Sequence, residues 1–329
     1  MSLRALASLK EHLTGVPGVA GVGVSSYRAG ELGVVGSEEV VVVYVERYEP
    51  ELVRKIPSEV HGLRVVVVPS GRFRVLAQRL LTVEEHRLRY RPIMGGISCG
   101  SLDVGAGTLS CIVYDRLTGS PLGLSNNHVI CQAFEGSGFV AYRGKPIIQP
   151  GRADGGAYPG DVVGYLERWV PVRLGVENTV DCAVFTPTVE VSRGVLNLVD
   201  EVPPSCDVAI GDRLRKSGRT TGVTDGVVES VHATVSVEAW GREYVFTDVV
   251  ITRSAIAEPG DSGSFCLDLD RRGSAGIVFA GSELKTAVIP AVSVERELGV
   301  SFTAVPPAVQ SIFSVVPIGL ALYFAVRER

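Results

Sequence analysis

The chain has 329 residues, with 32 Lys and Arg against 36 Asp and Glu, for a formal net charge of −4. So even a balance provides no basic stripe for nucleic acid, and the length suffices for two domains with a sizeable core. Six Cys occur with no C-x-x-C pair, which argues against zinc; the chemistry read below calls for no metal or cofactor. The basic residues are mostly Arg, only positions 10, 55, 145, 216 and 285 being Lys, which suits a thermophile and a GC-rich genome equally.

Residues 2 to 13 place Leu3, Leu6, Leu9 and Leu13 on one stripe and predict an amphipathic helix. Arg4, Lys10 and Glu11 deny it the long apolar core of a secretory signal. A Val/Gly-rich run follows at 16 to 27, then a turn over 28 to 36. The unbroken Val run at Glu39 to Val45 predicts a strand covered on both faces. A short helix at Glu51 to Ile56, a strand at Leu63 to Pro69 and a further strand within 71 to 88 complete a small α+β unit over 1–91. His12, His61 and His86 read as surface or packing residues. The unit has two readings: a regulatory segment that touches the functional cleft, or a cover for edge strands.

From Ile93 the pattern changes to short strands punctuated by Gly and Asp turns, which suits antiparallel barrels better than a parallel sheet. Thr108 to Tyr114 and Leu122 to Ser125 read as strands, as do Asp161 to Val172 and Val180 to Phe185. The linker is Val202-Pro203-Pro204-Ser205. Beyond it, strands are predicted at Val223 to Val237, Glu243 to Ile251 and Ala275 to Gly281, and a helix at Ser293 to Leu298.

The chemistry gathers at Glu258-Pro259-Gly260-Asp261-Ser262-Gly263-Ser264-Phe265. Flanking Gly residues permit a tight turn around Ser262, aiming the amides of Gly260 and Ser262 at one point, an oxyanion hole. A Ser nucleophile needs a base and the base an orienting acid. Of the five His, only His128 stands in a fitting context, at the end of an apolar strand in Gly123-Leu124-Ser125-Asn126-Asn127-His128. Asp181 is a lone carboxylate opening the apolar run Val180 to Phe185, tolerable there only with a partner. Asp154 and Asp161 are alternative acids that read as solvated turn formers.

With these residues in the order His, Asp, Ser, the chain resembles the trypsin-like (chymotrypsin-fold) serine proteases, bacterial members of the α-lytic type in particular. Lys216-Ser217-Gly218-Arg219-Thr220-Thr221-Gly222 resembles that group's Arg-Ser-Gly-Arg-Thr-Thr-Gly stretch, and Gly276 to Ser282 its cleft-lining strand after the nucleophile. The resemblance covers Gly95 to Val300. It implies a mainly β fold of two six-stranded antiparallel barrels, at about 92–201 and 206–292 within a 92–300 protease domain. It further implies a serine endopeptidase acting on protein or peptide substrates through His128, Asp181 and Ser262. Ile256, Phe279, Ala280 and Gly281 would bind substrate. With no acid in Ser254 to Ala257, the implied pocket takes small or apolar side chains. A Cys111–Cys131 disulfide is implied as well, among fifteen complete pairings that the sequence alone leaves open. Three departures stand out: Ser264 for a second Gly, Asn126-Asn127 for Ala-Ala, and Phe279 where many relatives carry a Ser near the acid. A catalytically silent scaffold on the same fold is the alternative. An α/β-hydrolase needs Gly-x-Ser-x-Gly and another residue order, and the chain has neither.

The tail, 301–329, has no charge from Gly299 to Val326 and ends Arg327-Glu328-Arg329. That length exceeds the roughly 20 apolar residues that span a bilayer. A hydrophobic C-terminal helix is therefore predicted, anchoring the protein to a membrane through 304–326. Without the anchor the protein is expected in the cytoplasm.

Overall fold

The Val-rich runs become strands in the computed structural model, which describes residues 2–13, 16–27, 38–75 and 84–304. Helix α1 (Ser2–Leu13) lays Leu6, Leu9 and Leu13 on β1 (Val19–Tyr27) and β2 (Glu38–Val45). β2 runs antiparallel to β1 and parallel to β3 (Leu63–Pro69), with the short helix α2 (Pro50–Val53) between β2 and β3. The Val run of β2 divides by strand alternation. Val41, Val43 and Val45 face α1, whereas Val40, Val42 and Tyr44 enter the main core, so both faces are buried as the run predicts. A three-residue strand, β4 (Phe73–Val75), follows.

The next strands are β5 (Ser98–Ser101), β6 (Gly107–Thr108), β7 (Cys111–Asp115) and β8 (Pro121–Ser125). A helical turn, α3 (Asn127–Ile130), precedes β9 (Pro146–Ile148), β10 (Val162–Trp169) and β11 (Ala183–Pro187). Their antiparallel order is β7-β8-β11-β10-β9-β5-β6. Only Leu109 and Ser110 separate β6 from β7. Leu109 N donates to Ile97 O at 2.8 Å and Ser110 N to Leu124 O at 2.8 Å. β6 and β7 are thus halves of one bent strand, and they close a ring of six.

The second ring comprises β12 (Arg213–Gly218), β13 (Gly222–Ala239), β14 (Arg242–Thr252), β15 (Phe265–Asp268), β16 (Gly273–Gly281) and β17 (Thr286–Pro290). Every adjacent pair around β12-β13-β14-β17-β16-β15-β12 is antiparallel. Helix α4 (Ala291–Leu298) leads to β18 (Val300–Ser301), which returns to pair with β7 of the first ring.

The N-terminal strands join the second ring: β1 pairs antiparallel with β13, Val22 opposite Thr234 and Ser25 opposite Ser230. At 18 residues β13 is longer than a barrel wall requires, and its projecting edge would stay unpaired without β1. The turn predicted over 28 to 36 lies outside the described residues. So does the predicted C-terminal helix and anchor, apart from its first few residues up to 304. Among the described residues no helix is long and apolar enough to cross a membrane.

Candidate active site

The turn after β8 carries His128. Two buried amides clamp it. Asn126 Nδ2 donates to Asp181 O at 2.7 Å; Asn127 Nδ2 donates to Val170 O and its Oδ1 accepts from Ala133 N, both at 2.7 Å. The Asn pair therefore does what Ala-Ala could not: it ties the His128 turn to the strand start at Asp181 and to the end of β10. The Asp181 side chain is fully buried. Its Oδ1 accepts the backbone N–H of His128 at 3.0 Å, and its Oδ2 accepts the ring Nδ1 in a close contact. A carboxylate oxygen accepts, so Nδ1 is the donor of this bond. Nε2 is buried and has no hydrogen-bond partner among the described residues.

The Ser262 turn is built around Asp261, which is wholly buried. Its carboxylate accepts from Thr220 N at 2.8 Å, Thr221 Oγ1 at 2.7 Å and Glu258 N at 3.0 Å, and meets Lys216 Nζ at 3.2 Å. Lys216 is also fully buried and donates to Gly222 O at 2.9 Å. Burial lowers its pKa, and the adjacent Asp261 opposes the shift. Gly260 has φ +101°, and a Cβ there would lie 2.3 Å from Thr220 Oγ1. No other residue fits this position without moving the turn. Ser264, the departure after Ser262, is accommodated because its side chain rests against the bare α-carbon of Gly218.

Asp154 and Asp161 are not placed to orient the imidazole. Both Asp154 oxygens take Arg219, from Nε and Nη2 at 2.6 Å each. Arg219, wholly buried, donates its backbone N–H to Thr108 Oγ1 at 3.0 Å, which in turn donates to Gly260 O at 3.0 Å. Asp154 thus braces the Ser262 turn from behind, a role that no sequence signal announces. Asp161 lies near the surface; the Ala157 amide, and after it Arg89, hold its carboxyl below the usual range.

Thr108 joins the two turns: its N–H donates to Ser262 O at 2.8 Å. Gly107 lies between them. A Cβ there would come 2.6 Å from Val129 and 3.2 Å from Ser262 O. Val129, the residue after His128, and Ser262 O therefore both crowd the space that a side chain at Gly107 would take. Ser262 is 1% exposed and His128 7%.

A cavity of about 1440 Å³ opens beside the Ser262 turn, lined among others by Thr221, Ile256, Pro259 and Gly281, with Arg72 and Arg74 from the N-terminal segment. Ile256 is fixed at its mouth: its N–H donates to Thr286 Oγ1 at 2.9 Å and its carbonyl accepts from Thr224 Oγ1 at 2.6 Å. Phe279 is fully buried, with its ring 4.9 Å from Phe246, and packs in the main core. Ala280 is buried too, at a register shift between Val278 and Ala280.

The Cys111–Cys131 disulfide is corrected: all six cysteines are free. Cys111 packs with Val113 and Leu124 in the main core, whereas Cys131 packs with Ile130 and Ile147 in the first ring's own cluster. Burial pushes both thiols up to about 12. Among the described residues no group of His, Cys, Asp and Glu could hold a metal ion.

No family model matches the chain, and no curated protein does. Solved structures similar to it include a Nocardiopsis protease, at 20% identity and TM-score 0.46 over 63% of this chain and 97% of that one. Thermobifida fusca protease A is similar at 19% identity and TM-score 0.45, over 63% of this chain and 96% of that one. A Cellulomonas bogoriensis chymotrypsin is similar at 17% identity and TM-score 0.46, over 65% of this chain and 99% of that one.

Proposed function

We propose that the chain is a serine endopeptidase of the chymotrypsin-like kind. Ser262 Oγ attacks the scissile carbonyl as His128 Nε2 takes its proton. The amides of Gly260 and Ser262 stabilise the oxyanion, a donor of this kind being worth about 3 kcal/mol. His128 returns the proton to the departing amine, leaving an acyl group on Ser262. Water, deprotonated by His128, then releases the acid and restores the hydroxyl. Asp181 holds the imidazole in the required tautomer and stabilises its charged form. The observation that carries this reading is the double grip of Asp181 on His128, through ring Nδ1 and backbone N–H together. A structural His needs one partner; this one is oriented at two atoms with Nε2 left as acceptor.

The pocket beside Ile256 and Gly281 would take a small or apolar side chain, since Ser254 to Ala257 contain no carboxylate. Digestion of a peptide library by wild type beside Ser262→Ala tests the activity and its preference. Cleavage by wild type alone supports the reading; identical patterns from both overturn it.

A further inference from the structure

Strands β14 and β17 part beside the Ser262 turn, and the cavity opens between them. Their last residues opposite each other are Ile251 and Ala287. Beyond these, the chain after β14 forms one wall, through Ala255, Ile256 and Ala257. The loop between β16 and β17 forms the other, through Ser282, Glu283 and Leu284. Side chains span the gap. Thr286 N donates to Thr252 Oγ1 at 3.2 Å, and Ile256 N to Thr286 Oγ1 at 2.9 Å. The third span is Lys285, one of only five Lys in an Arg-rich chain.

Lys285 lies in the loop itself and is buried. Its Nζ donates to Arg253 O, on the opposite wall, at 2.9 Å. It also donates to both carboxylate oxygens of Glu229, on β13, at 2.8 Å each. An ammonium has three protons, and these three acceptors take all of them. Glu229 comes to this point by a bulge. Val228 is opposite Thr252 and Ser230 opposite Ile251, which makes Glu229 the extra residue of β13. Bulges re-aim side chains and recur next to active sites. Arg253 is fixed to the same strand, its N–H donating to Val227 O at 2.8 Å. One ammonium thus ties the loop, the opposite wall and β13 together behind the pocket. Stability does not explain such a pair. Desolvating two charges costs about as much as their attraction gains, and apolar side chains of like volume often hold a core as well. Apolar side chains could not bond Arg253 O, so what the pair adds is a fixed position.

We propose that Lys285, held by Glu229, is a positioning residue for substrate selection: it sets the spacing of the two pocket walls, and with it the size of side chain that the pocket admits. The inference rests on the peptidase reading of the site. With all three protons committed, Lys285 offers no cation to a substrate carboxylate, which accords with a pocket for small or apolar side chains. A wall cut loose admits several sizes, each less well. The loss therefore falls on binding and on discrimination, while the chemical step at Ser262 is untouched.

The test uses the full chain. In Lys285→Met with Glu229→Met, apolar side chains of like length take the place of the pair. Wild type and variant are given quenched fluorescent peptides that differ only in the residue before the cut, Ala, Val, Leu or Phe. Separately they are given a small fluorophosphonate, which leaves the pocket empty. The expected result is kcat/KM for the preferred peptide lowered about tenfold, mostly through KM, and the spread among the four peptides narrowed to about threefold. The rate of Ser262 labelling stays within about twofold. A merely structural role would slow labelling and cleavage together, and that result overturns the proposal. So does a folded variant with the wild-type KM and order of preference, in which case the peptidase still stands. Absence of labelling in folded wild type overturns the peptidase reading and this inference with it. Should the double variant not fold, Lys285→Arg decides. It keeps its charge opposite Glu229, but its planar fork cannot gather three donors at one point. A changed order of preference with unaltered labelling is expected; the wild-type order overturns the proposal.

Discussion

The carboxylate of Asp181 accepts both the backbone N–H of His128, at 3.0 Å, and its ring Nδ1–H. With both oxygens committed to one residue, rotation of the ring and a change of tautomer are opposed together. Asp181→Asn replaces one acceptor oxygen by an NH2 group, which cannot accept either proton. The expected outcome is a fall in kcat of about 10⁴-fold with KM little changed, the loss this substitution causes in a serine-protease triad. Steady-state kinetics on folded protein checks it, and a loss under tenfold contradicts the assigned role.

Lys216 and Asp261 make the Ser262 turn sensitive to alkali. Nζ lies 3.2 Å from Asp261 Oδ2, and burial lowers the Lys216 pKa from its ordinary 10.5. Glu258, His86, Arg87 and the Cys266 thiol are further titratable groups facing this pair. Loss of the Lys216 proton leaves Asp261 without its cation, so kcat should fall on an alkaline limb centred below pH 10.5. Stability moves the other way. With the folded pKa lowered, the unfolded chain binds more protons between that pKa and 10.5, so this titration raises stability as pH rises through the window. Lys216→Arg stays charged and should move the limb to higher pH or abolish it. A limb at the same pH in both proteins counts against the assignment.

Gly260→Ala should damage both function and fold. At φ +101° a side chain is strained, and its Cβ would strike Thr220 Oγ1. We expect a stability loss of about 1–3 kcal/mol. Displacement of the oxyanion amide should lower kcat about 10²- to 10³-fold. Urea unfolding and turnover measure the two separately.

The cysteines give a chemical check on the interior. Thiols at positions 99, 111, 131 and 266 are pushed up to about 12, and that at Cys206, which is less buried, to about 11. Ellman's reagent at pH 8 should react slowly and at Cys206 first in the native protein, then with all six after unfolding without reductant. Four thiols instead of six would restore a disulfide.

Why some of this was legible in the sequence and some was not follows from distance along the chain. His128, Asp181 and Ser262 each interrupt an apolar or Gly-rich run, a local signal; short strands with turn punctuation point to antiparallel barrels, and their number and size are what the resemblance implies. Asn126 and Asn127 look like mere departures because their partners, Asp181 O and Val170 O, are 55 and 43 residues away. Asp154 likewise acts through Arg219, 65 residues on. The joining of β1 to β13 depends on an unpaired edge that exists only once the barrel is folded. The proposed tail helix falls on residues outside those described.

The most direct test is covalent. Wild type, Ser262→Ala and His128→Ala are treated with a fluorophosphonate, and the intact mass and the modified peptide are read by mass spectrometry. A single adduct on Ser262 in wild type, none in Ser262→Ala and strongly slowed labelling in His128→Ala is the predicted result. Folded wild type that takes up no adduct, or takes it up elsewhere, would contradict the account and favour a silent scaffold.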